Sequence, residues 1–268
     1  KSFKYNVSCK YNMKLVIVES PAKCKKIESY LGKPYKVIAS FGHIRSFKNG
    51  LKSIDKKKNY KPTYNLSVSK QKYVKNLREN IKKASEVILA TDDDREGEAI
   101  AASLAEELKI NLLGPNSFGF SNPLEKINTS FYSGEIKKGE ISFISQSGAI
   151  GSGIIDKMKS FSGFVSIGNA VNLKISDFVE HYSTDPNTKV ICLYMEALEN
   201  NEGRRFIEVC KNCKKPILVL KAGKTVGGQR AAKSHTAAVS SERGIYSGIF
   251  NQAGIVECDS VKQMFQTA

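Results

Sequence analysis

Ile88-Leu89-Ala90-Thr91-Asp92-Asp93-Asp94-Arg95-Glu96-Gly97-Glu98 runs from a short apolar strand into five carboxylates within seven residues. Carboxylates this close repel one another unless a cation sits among them. Hard oxygen donors from one short loop are what Mg²⁺ takes while keeping several of its own waters. Asp92, Asp94 and Glu96 are therefore candidate metal ligands. The same pattern suits a solvated acidic turn capping the next helix, because Asp and Glu are favourable in a first helical turn.

Working outward, residues 86–90 read as the strand that delivers this loop and residues 99–108 as the helix beyond it. Upstream, the β-branched run Lys14-Leu15-Val16-Ile17-Val18-Glu19 feeds Ser20-Pro21-Ala22-Lys23. Ser20 is placed to cap a helix, and Pro21 suits its first position. A second strand, residues 35–40, leads to Phe41-Gly42-His43-Ile44-Arg45. Residues 48–83 are rich in Lys, Asn and Tyr with weak periodicity, and read as a basic connecting region with one helix near residues 71–83. Two strand-to-helix units thus bring Glu19 and the acidic loop to carboxyl ends of strands, where open α/β sheets place their chemistry.

The 268 residues favour two domains over one. The net charge of +16 is unevenly spread: residues 1–110 hold 24 Lys and Arg against 12 acids, residues 111–268 hold 18 against 14. The first half is built to meet a polyanion, or carries a solubilising basic face; the second has the charge of an ordinary soluble domain. No stretch approaches 18 consecutive apolar residues and Lys1-Ser2-Phe3-Lys4-Tyr5 has no signal-peptide core, so an intracellular chain outside the membrane is expected. Six cysteines form no paired framework, and Cys210-Lys-Asn-Cys213 lacks the second pair or His of a zinc site. Met13 opens the first patterned element, so residues 1–12 are set aside as an extension.

From Asn111 the pattern changes to a Gly/Pro/Asn turn cluster followed by repeated strand-loop-helix units. Residues 142–144 run into Ser145-Gln146-Ser147-Gly148-Ala149, a small polar loop opening an apolar helix, which presents backbone N–H groups to an anion. Further strands at residues 164–167, 190–195, 217–220 and 254–257 imply a parallel sheet wound on both faces. Residues 221–236 combine cations, glycines and His235, a setting for a phosphate beside an imidazole. Glu196, closing the strand at 190–195, is placed to orient such an imidazole.

Glu19-Ser20-Pro21-Ala22-Lys23, Phe41-Gly42-His43-Ile44-Arg45 and Thr91-Asp92-Asp93-Asp94-Arg95-Glu96-Gly97-Glu98 resemble, in order, the three signatures of the Toprim domain of type IA DNA topoisomerases. The resemblance covers residues 13–108. It implies Mg²⁺ on Asp92, Asp94 and Glu96, Glu19 handling the proton of the leaving 3′ oxygen, Lys23 steadying the scissile phosphate, and DNA as partner. Metal, general acid and lysine are the groups phosphodiester cleavage requires. His43 either orders the DNA backbone or packs. Such topoisomerases attack DNA with a tyrosine on a separate domain. The residues after Toprim here resemble no such domain, although Tyr132, Tyr182, Tyr194 and Tyr246 lie there. The strand that should close the Toprim sheet is also missing, so the fold is expected to be incomplete and the isolated chain not to relax DNA.

Leu113-Gly114-Pro115-Asn116-Ser117, Ile144 through Ala149, Ile167-Gly168-Asn169, Met195-Glu196, Lys221-Ala222-Gly223-Lys224 and Ser234-His235-Thr236 resemble the second domain of NDP-forming acyl-CoA synthetases, relatives of succinyl-CoA synthetase. The resemblance spans residues 111–268. It implies that His235 takes a phosphoryl group from an acyl phosphate and passes it to ADP, that Glu196 stabilises the phosphohistidine, and that Ser145, Gln146, Ser147 and Gly148 cradle its phosphate. Ala237 stands where the family pattern leads us to expect Gly. Such enzymes add a CoA-binding Rossmann domain and an ATP-grasp domain, so ADP or ATP and CoA are expected through partner domains in trans.

The expectation is therefore two Rossmann-like α/β domains: an incomplete Toprim fold at residues 13–110, and a flavodoxin-like, doubly wound parallel sheet at residues 111–268. The functional expectation is a mosaic of a Mg²⁺-binding, DNA-facing module and a phosphohistidine domain, neither reaction complete in this chain alone. The alternatives are a non-enzymatic DNA-binding or structural mosaic, or a fragment of a functional topoisomerase.

Overall fold

The computed structural model describes residues 13–56, 60–92, 94–198, 202–223 and 243–268. The chain divides into two compact units, Lys1–Ile110 and Asn111–Ala268.

The first unit runs β1 (Lys14–Val18), α1 (Pro21–Leu31), β2 (Tyr35–Ala39), β3 (Arg45–Leu51), β4 (Ile54–Asp55), β5 (Lys61–Pro62), β6 (Tyr64–Leu66), α2 (Gln71–Ile81), β7 (Glu86–Leu89) and α3 (Arg95–Leu108). β1 is central in a parallel sheet ordered β2-β1-β7. Alternation along β1 serves two faces, as the period of two in a strand requires. Leu15 and Ile17 pack with Val74 and Leu77 of α2 and with Ile100 and Leu104 of α3. Val16 and Val18 pack with Val37 and, on α1, Cys24 and Ile27. The sheet is thus covered on both sides, which parallel strands need.

Two features depart from the sequence expectations. Residues 48–83, expected as a connecting region with one helix, also hold strands. Arg45, Ser46 and Phe47 of β3 pair antiparallel with Leu66, Asn65 and Tyr64 of β6, and β4 pairs with β5. Phe47 opposite Tyr64 supplies a cross-strand contact that a Lys- and Asn-rich composition disguises. Helix α3 starts at Arg95 rather than 99, because Asp94 caps it by accepting the Gly97 N–H at 2.7 Å. The carboxylates thus begin a helix as well as end a strand.

The second unit runs β8 (Gly119–Asn122), β9 (Ile127–Asn128), β10 (Lys137–Ser145), α4 (Gly148–Met158), β11 (Ser160–Ser166), α5 (Ile175–Thr184), β12 (Val190–Met195), α6 (Gly203–Asn212), β13 (Ile217–Lys221), α7 (Arg243–Ala253), β14 (Val256–Cys258) and α8 (Val261–Thr267). The order is β14-β13-β12-β10-β11-β8-β9, with the first five strands parallel. β8 joins β11 antiparallel and forms a hairpin with β9 at the edge, an addition to the expected parallel sheet. α5, α6 and α7 cover one face through Val179, Phe206 and Phe250, against Ile191, Leu193 and Val219. α4 and α8 cover the other through Ile154, Ile155 and Met264, against Phe143, Cys192 and Leu218. This is the doubly wound arrangement that the strand-loop-helix repeat implies.

Strand order places the site. β11 lies on one side of β10 and β12 on the other, so the winding reverses between β10 and β12. At such a switch point the two following loops splay apart and leave a crevice at the carboxyl ends of the strands. The loops there are Ser145–Gly148 and the one beginning at Glu196.

Candidate functional site

In the first unit three adjacent parallel strands end side by side, so the segments after them must meet. Glu19 follows β1, Phe41-Gly42-His43 follows β2, and Asp92 follows β7. The Asp92 N–H donates to Glu19 Oε1 at 2.8 Å, and the Gly42 N–H donates to the Glu19 carbonyl at 3.1 Å. Phe41 and Gly42 both adopt positive φ (62° and 77°), and the glycine does so without steric cost. Lys23, one turn into α1, sets its ammonium on the Asp92 carboxylate, 2.7 Å from Oδ2. That hydrogen bond raises the Lys23 pKa above its ordinary value. His43 Nε2 lies 3.4 Å from Glu96 Oε1, and both side chains are about half exposed or more, so His43 does not pack into the core. Gly97 permits the approach of loop to helix: a Cβ there would sit 2.0 Å from the Asp92 carbonyl oxygen.

The carboxylates are the right donors in kind for Mg²⁺ but are not gathered around one point. Asp92 is held by Lys23, one oxygen of Asp94 caps α3, and Glu96 faces His43. Among the described residues no three His, Cys, Asp or Glu side chains form a group that could hold a metal ion. In this arrangement the donor set does not fit an ion. Asp93 lies outside the described residues.

The segment that follows β2 is basic in sequence. Residues 41–78 contain eleven Lys and Arg against one acid, Asp55. Lys48, Lys52 and Lys56 line a concavity of about 530 Å³, and Phe47 and Tyr64 stack on the exposed hairpin with ring centroids 5.2 Å apart.

In the second unit Ser147 caps α4 by accepting the Ile150 N–H, while the buried Ser145 hydroxyl donates to the Ser147 carbonyl at 2.7 Å. The polar loop is therefore internally tied at the helix start. Gln146 reaches from the end of β10 to the end of β12. Its Oε1 accepts the Glu196 and Ala197 N–H groups at 2.6 and 3.0 Å, and its Nε2 donates to the Ala197 carbonyl at 2.8 Å. The strands thus bring Ser145–Gly148 and Glu196 together. His235 and the rest of residues 224–242 lie outside the described residues.

Lys221, named in the sequence only within a motif, and Tyr246, named only among the tyrosines, make contacts that the sequence does not assign to them. Lys221, ending β13, donates to the Glu196 carbonyl at 2.7 Å and to that of Ala222 at 2.8 Å; its burial lowers its pKa below the usual lysine value. Tyr246 accepts the Leu198 N–H at 2.8 Å through its hydroxyl. Both are tertiary contacts between segments distant in sequence, with no local pattern to announce them. Tyr182 and Tyr246 are buried in the core, and burial, followed by the Glu196 charge, raises the Tyr194 pKa. Burial also pushes the Cys192 and Cys210 thiols up to about 12, far from a reactive thiolate. Among the described residues no helix is long and apolar enough to cross a membrane.

A parallel sheet with a Glu-Lys-Asp network and a second, doubly wound sheet with a polar loop at its switch point define a chain of two α/β parts. Residues 14–121 match the Toprim domain, and residues 138–268 match the succinyl-CoA ligase like flavodoxin domain. The Toprim match runs past Ile110 to β8, a strand that pairs with β11 of the second sheet. The chain is 37% identical over 183 residues to the acetate–CoA ligase (ADP-forming) II subunit alpha of Pyrococcus furiosus, covering 66% of this chain and 39% of that protein. It is 39% identical over 171 residues to the acetate–CoA ligase (ADP-forming) I of Archaeoglobus fulgidus, covering 62% and 25%. The dinucleotide forming acetyl-coenzyme A synthetase 1 of Ca. Korarchaeum cryptofilum, solved with phosphate and ADP, superposes with a TM-score of 0.65 at 26% identity, covering 95% of this chain and 60% of that one. The matched region spans well under half the length of the two sequence relatives. Both resemblances drawn from the motifs hold: a Toprim domain is followed by an ADP-forming acyl-CoA ligase-like domain.

Proposed function

We propose that residues 111–268 are the phosphoryl-carrying domain of an ADP-forming acyl-CoA synthetase, with His235 as carrier. The observation that supports this most is the meeting of the Ser145–Gly148 loop with Glu196 at the switch point of the sheet, where α/β folds bind anions. In the proposed step a His235 ring nitrogen attacks the phosphorus of an acyl phosphate; the bond to the acyl oxygen breaks and the carboxylate leaves. A terminal ADP oxygen then attacks the same phosphorus, giving ATP and free His235. Glu196 stabilises the charged imidazole, and the start of α4 faces the phosphate. ADP and CoA reach this site through an ATP-grasp subunit and a CoA-binding domain; the ligase subunit alpha of Pyrococcus furiosus is likewise one subunit of its enzyme. Incubation with acetyl phosphate should leave an acid-labile phosphate on the chain that is lost in His235→Ala. Equal labelling of that variant rejects the assignment.

For residues 13–110 we infer a module that faces nucleic acid. Its support is the eleven-to-one excess of basic residues over 41–78 together with the Glu19–Lys23–Asp92 network at the strand ends. Reversing Lys48, Lys52 and Lys56 to Glu should weaken binding of a fluorescent oligonucleotide by at least about tenfold, since phosphate neutralisation supplies most non-specific affinity. Unchanged affinity places the strand elsewhere. Mg²⁺ on Asp92, Asp94 and Glu96 is a further proposal, and it requires Lys23 to release Asp92. A titration in which binding does not depend on Asp92 and Asp94 removes it.

A further inference from the structure

The backbone around Glu196 is held in an unusual way. Beyond Tyr194, the last residue of β12 in register with β10, that ladder stops, yet backbone groups of Glu196, Ala197 and Leu198 are occupied by side chains. The Glu196 N–H and Ala197 N–H donate to Gln146 Oε1, the Ala197 carbonyl accepts from Gln146 Nε2, the Glu196 carbonyl accepts from Lys221 Nζ, and the Leu198 N–H donates to Tyr246 Oη. Five consecutive backbone groups are thus bound by three side chains from three separate segments. The Gln146 N–H extends the ladder by donating to the Tyr194 carbonyl at 3.1 Å, so residue 146 grips the loop with main chain and side chain together.

The residue type matters. A carboxamide offers an acceptor and a donor in one plane, and here the acceptor takes two N–H groups while the donor meets a carbonyl. Glu at 146 would keep the acceptor and lose the donor; Asn would fall short by a methylene. With its amide committed to Glu196 and Ala197, Gln146 is not free to wrap a phosphate.

We propose that Gln146, seconded by Lys221 and Tyr246, is a positioning residue that fixes Glu196 relative to the start of α4, so that the carboxylate is in place before phosphate arrives. This rests on the phosphohistidine reading above. A catalytic carboxylate on an unbraced loop would sample many positions, and a misplacement of about 1 Å costs on the order of 100-fold in rate.

The test uses the full chain, with Gln146→Ala and Gln146→Glu, and two readouts. Amide hydrogen exchange at Glu196 and Ala197 should quicken at least about tenfold in Gln146→Ala while the β13 amides keep their protection. The rate at which radiolabelled acetyl phosphate phosphorylates the chain should fall about 10- to 100-fold, with Gln146→Glu in between. Adding Gln146→Ala to Glu196→Ala should cost nothing more, because both act through one group, whereas a general loss of structure would multiply with it. Unchanged exchange at Glu196 and Ala197, or a fully multiplicative double variant, overturns the proposal. A wild-type chain that takes no label sinks the phosphohistidine reading and the purpose of the brace with it. A labelled wild type matched by an equally labelled Gln146→Ala sinks the brace alone.

Discussion

Gly97 shows what single residues contribute. Within the acidic motif it is one more small residue; in the fold it is where α3 presses on the strand-end loop, and any Cβ would meet the Asp92 carbonyl at 2.0 Å. Gly97→Ala should destabilise the first unit by about 1–3 kcal/mol, the cost of overpacking a tight contact. Urea denaturation followed by circular dichroism checks this, and a variant as stable as the parent contradicts it. The site residues divide the same way. Glu19, Asp92 and Glu196 are candidate site residues that residue type and strand-end position reveal. Gln146, Lys221 and Tyr246 act through contacts across 48 to 51 positions or 25, which no local pattern records. Lys23 is intermediate: its type is legible, while its seat on Asp92 requires the strand order.

At the level of elements, the buried strands announce themselves. β1, β2, β7, β12 and β13 are apolar runs, mostly rich in β-branched residues, because both of their faces meet helices. β3 to β6 do not, since they lie largely exposed and owe their pairing to a few cross-strand contacts amid lysines. β10 begins at Lys137, ahead of the segment at 142–144 that marks it in sequence, because its first residues are polar, largely exposed and joined to β11 across an irregular register. The turn from α5 into β12 is fastened by Asp185. Burial opposes its ionisation, but hydrogen bonds from Thr188 and Asn187, with the Lys215 charge, outweigh this and hold its pKa below the ordinary value. As pH falls, the unfolded chain therefore takes up this proton first. The contribution to stability is complete above the ordinary Asp pKa and is lost as pH drops through the depressed folded value. Denaturation midpoints measured across that acid range should fall less steeply in Asp185→Asn than in the parent; parallel slopes would assign the acid loss to other groups.

For the whole molecule, the sequence separates two halves by charge and by motif, and each half folds as its own α/β unit. The charge asymmetry has a measurable consequence. Oligonucleotide affinity should fall linearly on a log–log plot as salt rises, by roughly 0.7 to 0.9 of a decade per decade of salt for each phosphate neutralised. A salt-independent affinity would remove the polyanion reading of residues 41–78. In the second unit the switch point, the Ser145–Gly148 loop and Glu196 are proposed to serve chemistry at His235. The direct measurement is peptide mapping of the chain after acetyl phosphate, followed by a chase with ADP. The expected result is a phosphoryl group on the peptide containing His235 and its discharge by ADP with ATP formed; an unmodified His235 peptide, or a phosphoryl group that ADP leaves in place, would contradict it.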